Sequence, residues 1–135
     1  MSGPWLPLSP GEHVLLGWTG VLLGVLSGAV IGLFFHREAW MGGYGSFRRR
    51  LVRLGHIAFI GIGLLNAVYG LSLTSGVMQV AAARCASLGL IVAAVGMPGV
   101  CFATAWRERF RFLFAIPVLA LLTVLIAILS SWRRA

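Results

Sequence analysis

Apolar residues run almost unbroken through four stretches of this chain, and polar residues collect between them. The runs are His13 to Phe35, Leu54 to Leu73, Val77 to Ala105 and Phe112 to Ser131. A bilayer core about 30 Å thick needs roughly 20 apolar residues in helical form, and each run is long enough. With their flanks they predict membrane-spanning helices over 10–36, 47–74, 78–106 and 111–132, behind an irregular arm over 1–9. The connections are short, so consecutive helices are expected to be antiparallel neighbours. The expected fold is all-α and integral to the membrane: one four-transmembrane-helix bundle spanning 1–135.

Two helix starts are written in capping residues. Ser9-Pro10-Gly11-Glu12 reads as a capping box, with proline at the first helical position. Ser46 can cap the second helix after the Gly42-Gly43-Tyr44-Gly45 turn. The first run lacks a basic flank before it and is longer than a signal-peptide core, so it reads as an uncleaved span.

Composition supports the membrane reading. The chain is 59% hydrophobic and only 10% charged, with a mean hydropathy of +0.96. That leaves too few polar side chains to cover a water-soluble surface. The net charge of +8 raises the question of nucleic acid. The arginines cluster in connections between spans, though, as on cytoplasmic flanks, so no nucleic-acid partner is expected.

Arginine placement predicts orientation. Arg37, Arg48, Arg49, Arg50 and Arg53 lie in the first connection, and Arg107, Arg109 and Arg111 in the third. Arg84, Arg133 and Arg134 lie on the other side. The positive-inside rule puts the Arg-rich connections in the cytoplasm and both termini outside. Trp40 and Trp106 fit the inner interface; Trp5, Trp18 and Trp132 fit the outer one. Arg48, Arg49, Arg50, Arg53, Arg107, Arg109 and Arg111 are expected among lipid headgroups, each contributing about 1 kcal/mol against an anionic leaflet.

Small residues mark packing faces. Helix 1 carries Gly20, Gly24, Gly28 and Gly32 at steps of four. Helices in lipid gain by close backbone approach, so this glycine ridge is expected to be buried against another helix or a partner subunit. On helix 2, at about 100° per residue from His56, Gly63, Ala67 and Gly70 fall on one stripe. Asn66 sits beside it. An unpaired amide is costly in hydrocarbon, so Asn66 is expected to hydrogen-bond between helices, or else to line a polar path.

Chemistry is sparse. His36 extends the glycine row and His56 the helix 2 stripe. If those faces meet, the two imidazoles form the minimal set for haem, or half of a metal site. Pro98 and Pro117 each free a carbonyl four residues earlier and could shape a small pocket. Cys85 and Cys101 are 16 residues apart on one helix, too far to pair. The three acids, Glu12, Glu38 and Glu108, lie at span ends, which argues against a proton-coupled transporter. Three functions remain open. The first is a non-catalytic accessory subunit or assembly partner of a larger bacterial inner-membrane complex. The second is a haem- or metal-binding electron-transfer protein using His36 and His56. The third is a small homo-oligomeric channel or transporter near Asn66. Expected partners are membrane lipids, other membrane subunits or further copies of the chain.

Overall fold

The computed structural model describes residues 7–76 and 78–132. Trp5, Arg133, Arg134, the first six residues of the expected arm and the Trp132 side chain lie outside the described residues. The described part is helical, with no strand. Helix α1 covers Pro10–Leu33, α2 Phe47–Leu73, α3 Val80–Trp106 and α4 Ala115–Trp132. All four spans, the last counted from Glu108, are long and apolar enough to cross a membrane.

Local sequence sets the helix ends. Ser9 accepts the Glu12 amide at 3.3 Å, and the Glu12 carboxylate accepts the Ser9 amide at 2.6 Å. Ser46 Oγ accepts the Arg49 amide at 3.2 Å and donates to the Met41 carbonyl at 2.7 Å. The turn before it needs left-handed backbone: Met41, Gly42 and Gly43 have φ of 55°, 87° and 96°, a region that glycine enters without a Cβ penalty.

Two ends differ from the sequence expectation. Helix α1 stops at Leu33, not at 36, and His36 falls in the turn beyond it. There the Phe35 carbonyl accepts from Arg49 Nη2 at 3.4 Å, and the Phe34 ring stacks on Trp40 at 5.5 Å. The last span opens as a 3-10 segment over Glu108–Phe114 before α4. Pro117 therefore lies in the first turn of α4, where its missing N–H has no helical partner to lose. Its ring packs toward Gly96 of α3. Pro98, by contrast, is inside α3.

The helices form an open row. Each packs on its chain neighbour, while α1 and α4 do not meet as a packed pair. Neighbours run antiparallel, because partner numbers fall as residue numbers rise. Gly17, Gly24 and Gly28 face Ala67, Ile60 and His56; Gly89 and Gly96 face Val124 and Pro117. The row stays open for a reason visible in the chain. The glycine face of α1 is used on α2, and α4 has no glycine with which to approach a second helix. The buried core therefore follows α2 and α3. It holds Tyr69, Leu73, Ala86 and Leu90 at one end and Leu51, Val52 and Ala105 at the Arg-rich end.

Candidate functional site

Three buried polar residues gather at the end of the row opposite the Arg-rich connections. His13 of α1, Asn66 of α2 and Ser87 of α3 are each 0% exposed. The Asn66 amide nitrogen donates to the Ile62 carbonyl at 3.1 Å, which leaves Oδ1 for His13 Nδ1–H at 3.0 Å. His13 Nε2 is then the acceptor for the Ser87 hydroxyl at 2.7 Å. Every hydrogen-bonding atom of the imidazole is used in that neutral tautomer. The His13 ring also meets Tyr69 edge-on at 4.8 Å, and Tyr69 donates to the Ala83 carbonyl at 2.5 Å.

A serine, an imidazole and an orienting amide have the connectivity of a nucleophile, its base and an orienter. The burial argues against that use: no atom of the three residues has an open side for a substrate. What the arrangement does is tie three helices together where an unpaired polar group would be costly. Gly70 makes room for it, since a Cβ there would lie 2.6 Å from the Pro10 carbonyl oxygen and 3.0 Å from His13 Cβ. Asn66 is thus enclosed and bonded to α1, not turned toward an open path.

The second histidine on α2 has a different role. His56 Nδ1 donates to the Gly24 carbonyl at 2.7 Å, with Ser27 Oγ at 3.3 Å. Its ring occupies the space that a side chain at Gly28 would need. His36 lies in the turn after α1, eight residues beyond Gly28, and is exposed. The two imidazoles therefore sit at different depths and are not brought together as a ligand pair. The faces meet as anticipated in outline, but His56 enters the ridge at Gly24–Gly28, well short of His36.

The glycine ridge itself is displaced by one step. Gly17, Gly20, Gly24 and Gly28 pack on α2, and the closest approach to backbone is at Gly17, where a Cβ would lie 2.6 Å from the Ala67 amide and the Gly63 carbonyl. Gly32 has open space around it. A step of four residues overshoots a helical turn by about 40°, so a row spaced by fours winds off the face it starts on. Gly17 lies three residues before Gly20 and returns to that face.

At the other end, Arg49 departs from the headgroup expectation. It is 1% exposed, its Nε and Nη1 have no hydrogen-bond partner among the described residues, and its guanidinium lies 5.1, 5.4 and 5.1 Å from the Phe35, Trp40 and Tyr44 rings. Arg48 Nε donates to the Ala105 carbonyl at 2.9 Å, joining α2 to the end of α3. Arg50, Arg107, Arg109 and Arg111 are exposed, and Arg53 is half-buried over Tyr44.

Between α1 and α3, with α2 as its floor, runs an apolar groove. One part, about 310 Å³, is lined by Leu16, Gly20, Gly63, Val95 and Gly99 among others. A second part, about 450 Å³, reaches Phe34, Trp40 and Met41 at the Arg-rich end. Leu23, Phe59 and Phe102 line both. Sequence reading missed this groove and the His13 cluster. The cluster had a usable signal, because His13 and Ser87 lie three and seven residues inside their helices and Asn66 seven before the end of its own. In antiparallel neighbours those positions share the same end. Compared with protein-family models, curated proteins and solved structures, the chain shows no significant similarity to any of them.

Proposed function

We propose that this small membrane protein is a non-catalytic accessory subunit or assembly partner of a larger bacterial inner-membrane complex. In this reading the Arg-rich connections face the cytoplasm and both termini face outward. One observation carries it: the row is open, so α1 and α4 do not pack on each other and both present long apolar edges. The described residues inside the spans support the same view. His13, Asn66, Ser87, Tyr69 and His56 hold helix to helix, and the enclosed His13, Asn66 and Ser87 have no open side for a substrate. Edges that repeat the apolar surface of a helix pair suit lateral packing against other membrane helices.

Purification of the tagged chain in mild detergent from its own host tests the proposal. A membrane polypeptide that co-purifies in fixed ratio, and is lost when large residues are changed along the α1 or α4 edge, is the expected result. A lone chain carrying a chromophore, or a lone oligomer that conducts solute in vesicles, would overturn it. Phosphatase fusions test the orientation: activity at the C-terminus is expected, and activity at 107–111 instead would reverse it.

A further inference from the structure

The groove between α1 and α3 leads toward the Arg-rich connections, where eight arginines stand against two carboxylates, Glu38 and Glu108. Its Arg-rich end is lined by Phe34, Trp40 and Met41, and two arginines lie over rings at that end. Arg37 lies 5.8 Å from the Phe34 ring and Arg49 lies 5.4 Å from Trp40. Arg48 bonds Ala105, which is packed in the same cluster as Phe102. The hydrogen bonds that Arg48 and Arg49 make go to backbone carbonyls, not to carboxylates. Arg49 shows this imbalance most clearly, with two guanidinium nitrogens enclosed and unpartnered among the described residues. A cation held out of water with no counter-charge favours an anion beside it.

The groove supplies the other half of an amphiphile site. It is continuous through Leu23, Phe59 and Phe102, and on α1 it extends from Leu16 to Phe34, about 27 Å of helix. Gly20 and Gly63 bring α1 and α2 close together along it, and Gly99 opens its α3 wall. An apolar groove that runs toward arginines matches one occupant, a phospholipid with an anionic headgroup.

The geometry points to a specific anionic-lipid site on this chain: an acyl chain lies in the α1–α3 groove and its phosphate is met by Arg37 and Arg48, with Arg49 behind them. The site differs from general headgroup attraction because it needs both the groove and these particular arginines. Arg109 and Arg111 sit at the same end but lie against Phe110 and Phe112, which do not line the groove, so they serve as internal controls. The proposal holds whether or not other subunits pack on the outer edges of the row.

The test uses the full chain in detergent, stripped of lipid and titrated with dioleoyl phosphatidylglycerol or dioleoyl phosphatidylcholine, with bound lipid read by native mass spectrometry. One phosphatidylglycerol should be retained in preference to phosphatidylcholine. Arg37→Gln with Arg48→Gln should weaken it at least about tenfold, while Arg109→Gln with Arg111→Gln should change it less than about twofold. Gly99→Leu should weaken both lipids, because a Cβ at Gly99 meets nothing within 4 Å and the added side chain fills the groove without displacing a neighbour. Val95→Phe, at a groove position that is 72% exposed, repeats that test should Gly99→Leu fold poorly. Equal retention of the two lipids would overturn the proposal, as would unchanged binding in the groove-filling variants. So would a groove-filling variant that expels a co-purified polypeptide and leaves lipid retention untouched.

Discussion

His13 Nδ1 lies 3.0 Å from Asn66 Oδ1, a bond between residues 53 apart in the chain that closes a three-helix cluster through Ser87. Asn66→Leu removes the acceptor and leaves the Nδ1–H enclosed without a partner. The expected loss is about 1–2 kcal/mol, read by reversible denaturation in mixed micelles. His13→Phe and Ser87→Ala should combine non-additively, because both act on one network. Simple additivity would mean that the cluster is not one unit.

The glycine positions on α1 separate by location. Gly17→Leu forces α1 and α2 apart where a Cβ would already lie 2.6 Å from backbone, and should abolish a stable folded monomer. Gly32→Leu enters open space and should leave folding unchanged within about 0.5 kcal/mol. The comparison is made by size-exclusion elution and thermal melting of the two variants side by side.

Arg49 is surrounded by three rings and one carbonyl. Arg49→Ala should cost about 2 kcal/mol through lost ring contacts and stem packing. Lysine should not restore it, because an ammonium cannot present a flat face to several rings. Full rescue by Arg49→Lys would show that charge alone is at work.

The two thiols should report opening of the protein. Cys101 is buried and Cys85 exposed. In a Cys85→Ala background, maleimide should modify Cys101 only at the rate at which the α2–α3 core unfolds. Fast modification of Cys101 under native conditions would contradict its placement against Gly55.

Much of the fold was legible in the chain. Apolar run length locates four helices, and Ser9 and Ser46 mark two of their starts, because these signals are local. The ends near Phe35 and Phe114 were not legible, since they depend on Arg49 reaching a distant carbonyl and on Pro117 needing a first-turn position. The glycine row was read with a strict step of four, which ignores helical drift and so includes Gly32 and omits Gly17. The same drift, with His56 bonding up to Gly24, separates His56 from His36. The His13 cluster needed depth matching across three helices, a tertiary property that periodicity within one helix does not carry.

The His13–Asn66–Ser87 cluster also bears on how the chain is made. Its donors and acceptors come from α1, α2 and α3, so the first two helices hold an unmet polar group in the bilayer until the third has been synthesised and released beside them. Assembly should therefore pause with two helices inserted and advance in a single step when α3 arrives. The fourth helix, which contributes nothing to that cluster, is then added to a platform already complete.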